Sequence, residues 1–392
     1  MQQSKIIVEN LYKVFGPQPM DAVSLLKQGK KKEEIFEKTG QVVGVNNVSF
    51  EVGAGEIFVL MGLSGSGKST LIRLINRLVD PTDGKIIIDG EDVAKLPPQK
   101  LVDLRRKDMS MVFQSFALMP HRTVIANAAF GLEVAGMPKK QREMQAMTVL
   151  EQVGLAAFAH KYPHQLSGGM QQRVGLARAL AVNPSLMLMD EAFSALDPLK
   201  RSEMQDVLLK LQREHRRTIF FVSHDLEEAL RIGTRIAIME GGRLVQVGTP
   251  QEIVENPAED YVRDFFKSVD TSRYLMAKDM LDSHAVPVFK QGETIESSRL
   301  NDYAWCVCLS KDNRFLGLLP TERAQASIGQ SVSIDNLITV DSISHRSVLQ
   351  DVLPKLLGQR TPLPVLDDDG HYTGVLSAYS VLTRISQRGL HV

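Results

Sequence analysis

The sequence predicts an α/β fold built on a largely parallel sheet, followed by a smaller α+β module. Three observations carry this. Apolar strand-like runs alternate with helix-like segments from Ile6 to about Phe266. A glycine-rich loop, residues 62–69, joins a short strand to a helix. Beyond about Val269 a strand–turn–strand unit occurs twice.

At 392 residues the chain is long enough for two or three domains and a substantial core. Its 46 basic and 46 acidic residues cancel, so no global basic bias points to nucleic acid. The first five residues lack the apolar core of a signal peptide, and runs such as 219–222 are too short to cross a bilayer. A soluble or peripheral chain is expected, and any transport role would need a separate membrane subunit.

In chain order, residues 17–40 interrupt the alternation with mixed charges and apolar Ala22, Leu25 and Leu26. This reads as a partly helical surface insertion with a solvated face. Residues 56–61 read as a buried strand and 70–79 as a helix. Between them lies Gly62-Leu63-Ser64-Gly65-Ser66-Gly67-Lys68-Ser69, of the form G-x-x-x-x-G-K-S. Glycines let backbone N–H groups converge on phosphate oxygens, Lys68 neutralises β/γ charge, and Ser69 offers a hydroxyl to Mg²⁺. Gln114, in Met111-Val112-Phe113-Gln114-Ser115, is a candidate ligand to Mg²⁺ and water.

Leu166-Ser167-Gly168-Gly169-Met170-Gln171 is a second phosphate-binding element without a lysine, opening a helix with a stripe of Met170, Val174, Ala177 and Leu180. Two cradles for one nucleotide make sense if each completes the other, most simply across a dimer. The apolar run 186–189 ends in Asp190-Glu191, placing one carboxylate for Mg²⁺ and the next to polarise an attacking water. A third strand, 218–222, leads into Ser223-His224, and His224 is expected at the γ-phosphate or the water. Cys306 and Cys308 alternate along a strand, and buried thiols are favoured over a metal site.

These residues, in this order, resemble the ABC ATPases over about two-thirds of the chain. The resemblance makes 62–70 the Walker A motif, Gln114 the Q-loop glutamine, 166–171 the signature and 186–191 Walker B. It also makes Ser194-Ala195-Leu196-Asp197 the D-loop, His224 the H-loop histidine and Phe15 the adenine-stacking aromatic. It implies catalytic roles for Glu191, His224, Lys68 and Gln114. ATP would contact Phe15, Gly62, Ser64, Gly65, Ser66, Gly67, Lys68, Ser69, Thr70, Ser167, Gly168, Gly169 and Asp197. Mg²⁺ would be held by Ser69, Gln114 and Asp190.

The insertion after Phe15, Met170 in the signature, the run 189–199 and the C-terminal repeat narrow the resemblance to ATPase subunits of glycine betaine/proline betaine importers. That implies a homodimer on the cytoplasmic face of the inner (plasma) membrane. Its partners would be permease subunits and, through them, an extracytoplasmic substrate-binding protein or domain. Alternatives are an importer ATPase for choline, carnitine or an amino acid, or a soluble ABC ATPase outside transport. The expected domains are an ABC-type P-loop ATPase over 1–268, with a helical subdomain at about 115–180, then a linker over 269–279. A tandem CBS-like module over 280–392 follows, in which Cys308 to Leu319 resembles Val365 to Leu376 with Gly317 aligned to Gly374. Arg323 and Ser380 stand where that family places a ribose-contacting Asp.

Overall fold

The computed structural model describes residues 4–113, 116–194, 196–266, 275–281, 286–300, 303–359 and 361–388. The chain divides into two compact units, Met1–Phe265 and Phe266–Val392.

The first unit holds ten strands among its described residues. They are β1 (Ser4–Phe15), β2 (Val42–Gly53), β3 (Ile57–Met61), β4 (Asp83–Ile88), β5 (Glu91–Asp92), β6 (Met109–Val112), β7 (Leu186–Asp190), β8 (Thr218–Val222), β9 (Arg235–Glu240) and β10 (Arg243–Gly248). Six form a sheet of order β10-β9-β3-β8-β7-β6, parallel except for the β10–β9 hairpin. β3, β7 and β8 are buried along their whole length, which is why they read as continuous apolar runs rather than alternating ones. The α/β class is thus borne out.

The second sheet, β2-β1-β4-β5, is antiparallel. Phe50 of β2, Phe58 of β3 and Phe220 of β8 join the two sheets, with ring centroids 5.1 to 5.8 Å apart. Each such buried ring contributes about 1.5–3 kcal/mol of apolar burial.

The insertion forms two helices, Pro19–Lys27 and Lys32–Thr39. Ala22, Val23, Leu26 and Ile35 bury against Tyr12 and Val14 of β1, while Lys30 and Glu34 pair on the outer face at 3.7 Å. The helix expected over 70–79 runs instead over Lys68–Ile75. Gly67, left-handed at φ 103°, caps it two residues early, and Arg77 at φ 50° prevents its continuation. Helices Val124–Ala128, Phe130–Val134, Lys139–Gln152 and Gly168–Ala181 lie in the stretch between β6 and β7. Buried Asn127 pins the loop before them, donating to the carbonyls of Met119, Arg122 and Thr123 at 3.1 Å.

The second unit contains β11 (Val288–Lys290), β12 (Trp305–Leu309), β13 (Phe315–Pro320), β14 (Ile343–Ser344), β15 (Leu363–Leu366) and β16 (Tyr372–Leu376). They make two three-stranded sheets of the same plan, a parallel pair extended by an antiparallel hairpin. Registers match: Cys308 faces Gly317 in one, Val365 faces Gly374 in the other. Positive φ at Asn313 and Gly370 serves the two tight turns.

The linker expected over 269–279 lies partly outside the described residues, and its end is corrected. Leu275, Ala277 and Met280 are buried in the second unit's core, so this stretch is domain rather than linker. Cys306 and Cys308 are free and fully buried, and burial raises both thiol pKa values, Cys308 to about 12.

Candidate active site

Val222 of β8 stands opposite both Leu60 of β3 and Asp190 of β7, so the three central strands end level with one another. The segments that follow them converge at one edge of the sheet. They surround a cavity of about 540 Å³. Ser64, Gly65, Gly67, Lys68, Ser69 and Thr70 line it from the loop and helix start, and Glu191 and His224 from the other two strand ends. Phe15, Val42 and Gly44 line it from the antiparallel sheet.

Close backbone approach shapes the loop. A Cβ on Gly67 would come within 2.3 Å of the Gly44 carbonyl, and one on Gly44 within 2.9 Å of the Phe15 ring. Gly44 was not identified from sequence; its one signal is a glycine inside a strand pattern, Val43-Gly44-Val45. Phe15 keeps 42% of its surface exposed, with the Lys13 ammonium 5.0 Å from its ring centre. Gly62 and Ser66 lie outside the lining; Ser66 Oγ is buried without a hydrogen-bond partner among the described residues.

Lys68 is nearly buried and donates to the carbonyls of Gly62 at 2.7 Å and Leu63 at 3.0 Å. Burial lowers its pKa against the attraction of Glu191 and Asp190. Ser69 Oγ donates to Asp190 Oδ1 at 3.3 Å. Burial also raises the Asp190 pKa, outweighing the Arg73 charge and the Ser69 hydrogen bond. A desolvated cation at the start of a helix and a desolvated carboxylate at the neighbouring strand end are suited to a polyanion and its counter-cation. The hydroxyl and carboxylate of Ser69 and Asp190 are hard oxygen donors that fit Mg²⁺.

Glu191 adopts φ 46°, a left-handed conformation uncommon outside glycine. Its N–H donates to Val222 O at 3.0 Å, and Ser194 Oγ donates to its carbonyl at 2.9 Å. This strained turn aims the carboxylate back to the strand ends, where Glu191 Oε2 lies 3.2 Å from His224 Nδ1.

The second cradle is elsewhere in the fold. Ser167 caps helix Gly168–Ala181, accepting from Met170 N at 3.4 Å; Ser167 and Gly168 are exposed, and Gly169 is buried. None of the three lines the cavity. Asp197 is also outside it, accepting from Lys200 N at 3.1 Å, a bond that lowers its carboxyl pKa. Gln114 lies outside the described residues, so the structure does not place it.

Residues 45–194 match the sequence profile of the ABC transporter family. The chain is 48% identical to the glycine betaine/proline betaine transport system ATP-binding protein of Salmonella typhimurium, over 98% of each chain. It is 44% identical to the glycine betaine transport ATP-binding protein of Bacillus subtilis, over 95% of this chain and 90% of that one. Among solved structures, a dimeric ATP-binding cassette in a post-hydrolysis state with ADP and Pi is similar at 31% identity and TM-score 0.53, covering 62% of this chain and 98% of that chain.

Proposed function

Since the chain belongs to the ATP-binding subunits of the ABC transporter family, we propose that it is the ATP-hydrolysing motor of an importer for glycine betaine-type osmoprotectants. The observation that carries the reading is the convergence of Lys68, Ser69, Asp190, Glu191 and His224 at three level strand ends. Full-length likeness to betaine-system subunits supports the cargo.

The residues divide the work of phosphoryl transfer, which needs positioning and charge stabilisation. Phe15 offers a face for the adenine ring. Lys68 and the helix start hold the β- and γ-phosphates. Ser69 and Asp190, with Gln114 as a further candidate, would hold Mg²⁺, which would supply charge neutralisation at the phosphates. Glu191 orients the attacking water, and His224, 3.2 Å from the Glu191 carboxylate, supports the γ-phosphate.

Exposed Ser167 and Gly168 suit the second half of the site in a homodimer, with Gly169 completing the turn and Asp197 near the partner's nucleotide. The likeness to a dimeric cassette supports this. Among the described residues no helix is long and apolar enough to cross a membrane, which fits peripheral attachment to permease subunits on the cytoplasmic face. A substrate-binding protein would act through the permease.

We read 280–392 as a tandem CBS-like module on the strength of its two matched sheets. Arg323 is exposed, and Ser380 is engaged with Ser377 in capping its helix. Neither supplies the acidic ribose contact, so regulation through this module would not use that contact.

The test is ATP hydrolysis by the transporter reconstituted in liposomes, titrated with betaine, proline betaine, choline and carnitine. Stimulation by the betaines is expected. Stimulation only by a chemically different solute would overturn the cargo.

A further inference from the structure

Helix Pro198–His215 begins directly after the loop that carries Leu196 and Asp197. Its Arg201 is part-buried and makes two bonds from one guanidinium, one to the loop just before the helix and one to a segment farther along the chain. Nη1 pairs with Asp225 Oδ2, and Nη2 donates to the Leu196 carbonyl at 3.3 Å. Asp225 is the residue after His224. The circuit then closes: His224 meets Glu191, and Ser194 Oγ holds the Glu191 carbonyl.

The His224 turn is anchored from beneath. Ser223 Oγ accepts from Asp225 N at 3.0 Å and donates to buried Glu228 Oε2 at 2.5 Å. Glu228 Oε1 accepts from Gln205 Nε2 at 3.2 Å, and Gln205 Oε1 accepts from Arg231 at 2.8 Å. Asp225 Oδ1 also caps helix Leu226–Ile232 through Glu228 N at 3.1 Å. Every residue of the turn except His224 therefore has a fixed partner in one of these two helices. A guanidinium, planar with donors on separate nitrogens, serves Leu196 and Asp225 together in a fixed geometry.

We propose that Arg201 is a positioning residue that sets His224 against Glu191 by tying Leu196 and Asp197 to the His224 turn. The inference rests on the ATPase reading above. In the proposed homodimer Leu196 and Asp197 would belong to the surface that meets the second cassette. Docking would then be transmitted through Leu196 and Arg201 to Asp225 and on to the His224 turn. Displacement of a reacting group by about 1 Å costs on the order of a hundredfold in rate, so the expected effect is on turnover, not on nucleotide affinity.

The experiment uses the full transporter complex with Arg201→Met, Asp225→Asn and the double variant. Met keeps the length without donors, and Asn keeps the helix cap without the charge. Steady-state ATP hydrolysis should show kcat lowered by about ten- to a hundredfold with KM for ATP within about twofold of wild type. The double variant should be no slower than the slower single, because both break one link. Unchanged kcat, a raised KM with unchanged kcat, or losses that multiply in the double variant would each overturn the proposal. Should Arg201→Met fail to fold, kcat of Asp225→Asn decides. A wild-type complex that hydrolyses no ATP would overturn the ATPase reading itself. An active wild type with unaffected variants would overturn this coupling alone.

Discussion

Replacing Lys68 with Met separates what this residue does for the fold from what it does for the ligand. The ammonium gives two charge-assisted hydrogen bonds to backbone carbonyls, at 2.7 and 3.0 Å. Each contributes about 1.5–3 kcal/mol. Against them stands the cost of burying an ammonium, several kcal/mol. The two sums are of similar size, so the free protein should change stability by less than about 1 kcal/mol, or roughly 3 °C in Tm. Nucleotide binding has no such cancellation. Removing one partner of a desolvated charge pair costs about 2–5 kcal/mol, which weakens ATP affinity at least about 30-fold. In a thermal-shift titration with Mg²⁺ and ATP, a concentration of 100 Kd stabilises wild type by about 2.7 kcal/mol; after a 30-fold loss the same concentration gives about 0.9 kcal/mol. A variant that ATP stabilises as much as wild type would refute the role given to Lys68. A fall of more than about 10 °C in the free protein would refute the cancellation.

Asp190→Asn tests the other buried charge. Its native pKa is raised above 3.8, so the native state binds more protons than the unfolded chain in the window from 3.8 to that raised value, and stability falls as pH rises through it. The nucleotide-free variant should therefore gain more over wild type at pH 8 than at pH 4 in denaturant titrations, while Mg²⁺-dependent ATP binding is lost; an equal difference at both pH values contradicts the sign. Gly44→Ala places a Cβ 2.9 Å from the Phe15 ring and should raise KM for ATP about tenfold by displacing the stacking face, worth about 1–3 kcal/mol. An unchanged KM would show that Phe15 does not hold the base. With the Cys308 pKa near 12, about one thiol in ten thousand is ionised at pH 8. Labelling of both cysteines by a thiol-specific reagent should follow unfolding, and fast labelling of the native protein would contradict their burial.

The parts of the site that follow one another along the chain were legible. Residues 62–69, Asp190-Glu191 and His224 each follow an apolar strand, and the strand order places them together. Contacts between distant segments were not. Gly44 matters because it lies between Gly67 and Phe15, and nothing local to Val43-Gly44-Val45 says so. The left-handed φ of Glu191 depends on Val222, and the Arg201–Asp225 pair on packing between two helices. The α/β class was readable from the alternation between Ile6 and about Phe266. The antiparallel β2-β1-β4-β5 sheet was not, because its pairings join residues far apart in the chain. The linker was overextended because Leu275, Ala277 and Met280 are too few to show a period, although they bury as core.

Glu191→Gln in the reconstituted transporter tests the central claim most directly. Glutamine keeps the size of the side chain and removes the carboxylate 3.2 Å from His224. ATP turnover should fall by at least about a hundredfold, and the purified variant subunit should retain ATP in a stable cassette dimer whose mass light scattering reports. Turnover equal to wild type, with no ATP-bound dimer, would contradict the account.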